Sequence, residues 1–172
     1  YIPPQLAEST AFKTTTNLGG TTMNDSGGIS DSDTSVTLID SSSFPATGTI
    51  AIGSEEMTYT GNSGTVLSGL TRGVNGTTGA THSDAVQVGE VFDSGQLDAN
   101  GKTQVQTEIL ASDDGQIDIT FNEDQAGSDI VRSLSIPFTA ADGYGFFAAP
   151  AFVNWIRYRF TNLATTPQTD FY

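Results

Sequence analysis

The Asp-Ser-Gly triplet formed by Asp93, Ser94 and Gly95 is the first candidate for chemistry in this sequence. It follows the apolar pair Val91-Phe92, and aspartic proteases present a catalytic carboxylate on two such loops, which share one proton. The second triplet, at 25–27, lacks a preceding apolar strand, so a homodimer would have to supply two copies of Asp93. Asp, Ser and Gly are also common turn residues, and we interpret the triplet as a turn at a domain boundary.

The single histidine, His82, is followed directly by Ser83 and Asp84. Neighbouring residues on a strand point to opposite faces, so this order is no evidence for a Ser-His-Asp arrangement. The chain has no cysteine, which excludes a thiol nucleophile and Cys-ligated zinc. We therefore predict a protein that is not an enzyme, has no catalytic residue and uses no cofactor, with His82 as a structural loop residue.

Acidic clusters offer oxygen ligands of the kind that Ca²⁺ prefers. None of them has the spacing of an EF-hand loop, and Asp is frequent in solvated turns. We predict no metal site and keep seven residues as calcium candidates: Asp31, Asp33, Asp113, Asp114, Glu123, Asp124 and Asp129.

Charge and composition restrict the class of protein. The net charge of −14, from 20 acidic and 6 basic residues, excludes the basic footprint that a nucleic-acid partner requires, and it disfavours anionic membrane surfaces. No apolar run approaches the ~20 residues that span a bilayer. The chain holds 19 Gly and 10 Phe, with Thr, Val and Ile at spaced positions, and this combination favours strands joined by turns.

The elements that must position these residues follow from apolar and polar alternation. We predict an extended N-terminal arm over residues 1–33, a small antiparallel β-module over 34–92, and an antiparallel, jelly-roll-like β-sandwich over 93–172. No amphipathic helix is evident. In the sandwich, strands are expected at 104–110, 116–121, 130–136 and 152–160.

The last of these strands carries a candidate interface. Alternation places Trp155, Arg157 and Arg159 on one face, and Trp and Arg are favoured residues in protein interfaces. This face would dock against an acidic neighbour, such as another copy of the chain. The alternative is an exposed face, on which the arginine stems lie over Trp155 or form ion pairs with Asp118 or Glu108.

A series of short segments in the middle of the chain carries a resemblance. In order, they are Thr37-Leu38-Ile39-Asp40, Phe44-Pro45, Gly48-Thr49-Ile50, Ile52-Gly53-Ser54-Glu55, Tyr59-Thr60-Gly61, Leu70-Thr71-Arg72-Gly73-Val74-Asn75-Gly76-Thr77, Ala80-Thr81-His82 and Val86-Gln87-Val88. This order resembles a small β-module found in virion proteins of tailed bacteriophages, including tail fibres, baseplate components and capsid appendages. The C-terminal unit is similar, by pattern alone, to phage β-sandwich domains.

The resemblance implies a non-enzymatic structural component of a bacteriophage virion, as a capsid decoration or appendage or as a tail or fibre protein. Its partners would be other copies of itself, for example in a trimer, and other virion proteins of the extracellular particle. The alternative is a carbohydrate-binding adhesin on a phage fibre or a cell surface. In that case Trp155, Tyr144, Phe146 and Phe147 would offer aromatic platforms to host surface glycans.

Overall fold

A computed structural model of the chain describes residues 18–100, 104–110, 112–139, 144–150 and 153–168. Within these ranges the chain forms twelve strands and no helix. The prediction of an all-β, antiparallel, sandwich-like fold is therefore confirmed. None of the described segments is a helix of the length and hydropathy needed to cross a membrane.

The strands form three antiparallel sheets. The largest has seven strands in the order β10-β9-β12-β7-β3-β4, with β1 also paired to β7, while β11 pairs with β8 and β2-β6-β5 form a third sheet. The strands are β1 (Gly20–Thr22), β2 (Ser35–Thr37), β3 (Gly48–Ile52), β4 (Glu55–Tyr59), β5 (Gly61–Asn62), β6 (Val66–Ser68), β7 (Gln87–Asp98), β8 (Gln104–Leu110), β9 (Gly115–Asn122), β10 (Ile130–Phe138), β11 (Tyr144–Pro150) and β12 (Trp155–Asn162).

Four strands of the C-terminal half were predicted from alternation, and β8, β9, β10 and β12 lie within three residues of the predicted bounds. One strand, β11, was not predicted. Its sequence, Tyr-Gly-Phe-Phe-Ala-Ala-Pro, is apolar at consecutive positions, so it lacks the period of two that reveals a half-buried strand.

The long strand β7 is shared by both halves of the fold. Its first part pairs with β1 and β3, and its second part pairs with β12. Since alternate residues of a strand share a face, Val88, Glu90 and Phe92 point the same way. The domain boundary expected after residue 92 falls inside this strand.

Two groups of buried apolar side chains make up the core. The first comprises Met23, Ile29, Val36, Leu38, Phe44, Ile50, Ile52, Met57, Tyr59, Leu67, Leu70 and Val88. The second comprises Ala99, Ile117, Ile119, Phe121, Val153 and Ile156, flanked by the partly buried Leu134, Ile136, Phe138 and Tyr158. Because directly paired residues share a face of a sheet, the pairing of Phe160 with Phe92 puts both groups on the same side of the large sheet.

Residues 18–33 differ from the extended arm expected over residues 1–33. Leu18, Met23 and Ile29 are each at most 2% exposed, and Met23 and Ile29 belong to the first core. These apolar residues are separated by Gly and Asp turns, so they form no periodic pattern, and single bridges to other segments bury them. Residues 1–17 lie outside the described part of the chain.

A fully buried amide holds the two ends of the described chain together. The Nδ2 of Asn162 donates hydrogen bonds to the carbonyl oxygens of Leu18 (3.1 Å), Gly19 (3.2 Å) and Thr166 (2.9 Å). Its Oδ1 accepts one from the N–H of Ala164 at 2.9 Å. The carbonyl oxygens of Leu18 and Gly19 also accept from the N–H groups of Gln168 and Glu90, so Asn162 is their second donor. For Thr166 and Ala164 it supplies main-chain hydrogen bonds of the kind that buried backbone groups require.

Candidate functional site

The predicted interface residues share one face of β12, as alternation indicated. Ile156 and Phe160, at intervening positions, are buried in the core, whereas Trp155, Arg157 and Arg159 are half-buried on the opposite face. The geometric part of the prediction is therefore confirmed. Whether this face contacts another molecule stays a prediction.

The two arginines of this face are ion-paired within the chain. Arg157 donates from Nε to Oδ1 of Asp93 at 2.8 Å and also pairs with the second oxygen. Arg159 pairs with Glu56, and its Nε lies 3.4 Å from Oδ2 of Asp93. The acid considered beforehand, Asp118, is opposite Arg159 in register but accepts from Gln116. We refer to Asp93, Arg157, Arg159 and Glu56 as the ion-pair network; the side chain of Glu108 lies outside the described residues.

A β-bulge puts Asp93 within reach of both arginines. Gln96 pairs with Arg157 and Asp93 pairs with Arg159, so three steps along β7 oppose two along β12. The extra residue is accommodated at Gly95, whose φ is +67°, and such bulges re-aim neighbouring side chains. The Asp-Ser-Gly triplet, expected as a turn at a domain boundary, is therefore a bulge within a continuous strand.

The carboxylate of Asp93 is held in its ionised form. Burial acts to raise its pKa, but hydrogen bonds from Arg157 and the N–H of Gly95, with the charges of Arg157 and Arg159, outweigh it and lower the pKa below its usual range. A proton-sharing pair of carboxylates needs the opposite condition, in which a like charge raises one pKa. The surroundings of Asp93 thus support an ion-pair role for this carboxylate.

A second group of charges, which the sequence interpretation missed, is buried in the first half of the fold. Glu55 is 1% exposed and accepts hydrogen bonds from Arg72 at both oxygens (2.8 Å each), from the N–H groups of Gly73 (3.1 Å) and Ala80 (2.9 Å), and shares one with Nε2 of His82 (2.7 Å). We call Glu55, Arg72 and His82 the charged cluster.

The charged cluster attaches the loops before and after Arg72 to the β3–β4 hairpin. Burial acts to raise the pKa of Glu55, but hydrogen bonds from Arg72, from the N–H of Ala80 and from His82 outweigh it and lower the pKa to about 2. The arginine also donates to the carbonyl oxygens of Ser30 and Ala80. His82 thus occupies a loop position that this cluster fixes, and one signal pointed to the site: Glu55 is in phase with the buried Met57 and Tyr59.

A third acid is buried against the first core. Glu90 is 7% exposed and is opposite Ile50 in register, so it points to the apolar face. Its Oε2 accepts a hydrogen bond from the N–H of Gly19 at 2.6 Å. Burial raises the pKa of Glu90 to about 7, although that hydrogen bond opposes the shift. Its charge in turn adds to the burial that raises the pKa of Tyr59.

The calcium candidates have local roles in the loops. Asp33 accepts from the N–H of Ser30 (2.6 Å), Asp124 accepts from the N–H of Asp129 (2.9 Å), and Asp113 accepts from the hydroxyl of a threonine. In the part of the chain that the structure describes, no three acidic or histidine side chains are grouped to hold a metal ion. None of the seven candidates therefore belongs to such a group: Asp31, Asp33, Asp113, Asp114, Glu123, Asp124 and Asp129.

The outermost strand of the large sheet, β10, pairs only with β9 among the described strands. Ile130 and Val131 at its start are 53% and 57% exposed, and a bulge separates them from the regular stretch that begins at Arg132. The guanidinium of Arg132 lies 4.3 Å from the ring centre of Phe121, a cation–π distance. This side of the sheet therefore ends in a long strand with a row of exposed positions.

No protein-family model matches the sequence, and neither the curated proteins nor the solved structures include a significant match. The similarity to phage virion modules stays a prediction from the sequence.

Proposed function

We propose that the protein is a non-enzymatic structural component of a bacteriophage virion and that it acts by associating with copies of itself. The observation that carries this proposal is that β10, at the end of the large sheet, pairs with no described strand other than β9. An exposed strand edge presents N–H and C=O groups that pair readily with another chain, and bulges and prolines limit such pairing. On β10 the bulge before Arg132 and Pro137 confine it to residues 132–136. The resemblance of residues 37–88 to phage modules supplies the setting.

The charged groups of the protein bear on association in two ways. The ion-pair network and the charged cluster use their arginines and carboxylates for contacts within the chain, so these groups are not needed for association. The high negative charge also sets a condition: copies of a chain with net charge −14 repel one another until salt screens them.

Association is tested by light scattering coupled to size-exclusion chromatography, over a range of protein and salt concentrations. We expect a mass above that of the 18.0 kDa chain that increases with protein concentration and with salt. A monomer under every condition contradicts the proposal. Immunogold electron microscopy then tests the setting, since antibodies to the purified chain should label tailed particles in the viral fraction of its source.

Carbohydrate binding is a second candidate, and the position of Trp155 favours it. This half-buried indole lies opposite the exposed Asp98 in the register of the sheet, so an aromatic surface is flanked by a carboxylate. A glycan array with the purified protein tests it: saturable binding that Trp155→Ala abolishes supports a sugar site, and an array without saturable binding excludes one for the glycans it holds.

A further inference from the structure

We propose that β10 pairs edge to edge and antiparallel with β10 of a second copy, around a two-fold axis at Leu134. This inference rests on the proposed function, because it names the partner at the open edge. The pairing would extend the large sheet across two subunits, each contributing the same strand, as in an isologous interface.

The register follows from what limits the edge at each end. A bulge at Val131 interrupts the regular pairing on one side, and on the other side Pro137 has no N–H to donate. The stretch between them, 132–136, is regular, and its centre is Leu134. An antiparallel pair centred there places Ser133 opposite Ser135 of the second copy.

The lack of acidic residues in β10 favours a second copy of this acidic chain as its partner. Residues 130–139 contain no acid and one arginine, in a chain with 20 acidic residues, so β10 itself brings no acidic side chain to the contact. The acid beside it in register is Asp118 of β9, opposite Ser135. The acidic loop that ends at Asp129 lies five positions from the axis. Its counterpart is therefore ten positions away along the strands, ~33 Å at 3.3 Å per residue, which exceeds a Debye length of ~8 Å.

The exposed and apolar rows of the strand also suit this pairing. Leu134 and Ile136 are partly buried and pack against the second core, so the paired strands would join the apolar rows of the two copies. Ser133 and Ser135 are exposed on the other face, where two small hydroxyls opposite each other neither clash nor carry charge. Cross-strand pairs of this kind stabilise a sheet.

The absence of cysteine from the chain makes cross-linking a direct test. Variants Ser133→Cys and Ser135→Cys are mixed in equal amounts and oxidised mildly, and the cross-linked peptides are identified by mass spectrometry. We expect the mixed 133–135 disulfide to predominate, since directly opposed residues in antiparallel strands have Cα atoms ~4.5–5.5 Å apart, within the range that a disulfide requires. Ser54→Cys, in an exposed turn, is the control for random collision.

A charge variant gives an independent readout. Ser133→Lys with Ser135→Lys adds positive charge to an acidic chain, so it lowers the general repulsion between copies, yet it puts like charges opposite each other in the proposed pair. We expect association to weaken by at least about tenfold, because like charges directly opposite each other on antiparallel strands are destabilising. Two lysines at Ser54 and Thr78, which are exposed elsewhere, should leave association unchanged or strengthen it.

The outcomes separate this inference from the proposed function. A chain that associates, but forms no 133–135 disulfide above the Ser54→Cys level and tolerates the lysines, overturns the pairing while the proposed function stands. A trimer also overturns it, since a two-fold contact by itself closes as a dimer. A monomer under every condition contradicts both.

Discussion

The two halves joined by β7 use polar side chains in different ways. Strands β1 to β6 are two to five residues long, and this half buries the charged cluster. Strands β7 to β12 are seven to twelve residues long, and here Asp93 and Arg157 remain about 30% exposed.

Strand length explains the difference. Short strands leave much of the backbone without a ladder partner, and buried backbone groups must be satisfied in another way. In the first half, side chains do this: Glu55 accepts two backbone N–H groups, and Asn62 donates to the carbonyl oxygens of Ser41 and Phe44 at 2.8 and 2.9 Å. The second half satisfies its backbone largely by long ladders. Glu55→Gln should therefore cost more than Asp93→Asn.

The largest effect is expected for Glu55→Gln. Arg72, whose side chain is 9% exposed, would lose its counter-charge, and breaking a buried ion pair by removing one partner costs about 3–5 kcal/mol. Urea denaturation followed by circular dichroism measures the loss in free energy of unfolding. If Glu55→Gln loses no more free energy of unfolding than Asp93→Asn, the proposed difference between the two halves is wrong.

The stability of Glu55→Gln and of the unaltered protein should also depend differently on pH in acid. The pKa of Glu55 in the fold is about 2, against an ordinary value of 4.5. Its contribution to stability is therefore present above pH 4.5 and is lost as the pH falls towards 2. Melting temperatures measured between pH 2 and 5 should show a shallower acid decline for Glu55→Gln than for the unaltered protein.

The next effect concerns Glu90, for which burial is not offset by an ion pair. Its pKa is about 7 in the fold against 4.5 ordinarily, so the fold binds the extra proton between these values, and stability falls as the pH rises from 4.5 to 7. Glu90→Gln keeps an oxygen for the N–H of Gly19 and has no charge. It should stabilise the protein at pH 8 by roughly 3 kcal/mol and have little effect at pH 4.5. A melting temperature of the variant that follows the parent from pH 5 to 8 would refute the assignment.

The next effect concerns Asn162, whose side chain joins the two ends of the described chain. Asn162→Ala removes the donor to the carbonyl oxygen of Thr166 and the acceptor for the N–H of Ala164, while the carbonyl oxygens of Leu18 and Gly19 keep the N–H groups of Gln168 and Glu90 as donors. We expect a loss of about 2 kcal/mol, as for other hydrogen-bonding groups left unsatisfied. The control is Asn24→Ala at an exposed position, which should change the free energy of unfolding by less than about 0.5 kcal/mol. If the two variants lose the same free energy of unfolding, the side chain of Asn162 does not stabilise the junction between the two ends of the described chain.

The smallest effect is expected for Asp93→Asn. Because Asp93 and Arg157 are each about 30% exposed, water and salt screen their interaction, and pairs of this kind contribute about 0.2–1 kcal/mol. Denaturation at low and high salt measures the loss, which should shrink as salt increases. A loss above that of Glu55→Gln would reverse the contrast between the halves.

Where apolar and polar residues alternate, the sequence predicted which side chains are buried. Ile117, Ile119 and Phe121 are buried as their spacing indicated, and Asn75-Gly76 has the positive φ values that its turn chemistry demands. By contrast, Met23 and Ile29 are isolated apolar residues in a polar stretch. Their burial depends on bridges to Leu38 and His82, which no local pattern records.

The candidate site divides in the same way. Alternation predicted that Trp155, Arg157 and Arg159 share a face, whereas the partners of the arginines depend on which strands lie beside β12. The in-phase position of Glu55 with Met57 signalled a buried acid, but the sequence did not reveal that Arg72 and His82 would meet it.

The sequence by itself determined the all-β class, most strand positions and, for strands such as β9 and β12, the buried face, because the period of two is a local property of a pleated chain. Only the tertiary structure decided the pairing of charges, the bulge at Asp93 and the position of β10 at the end of the large sheet, among the described strands. These depend on the order of strands in the sheet, and strand order is set by contacts between segments that are distant in sequence, such as Arg159 and Glu56.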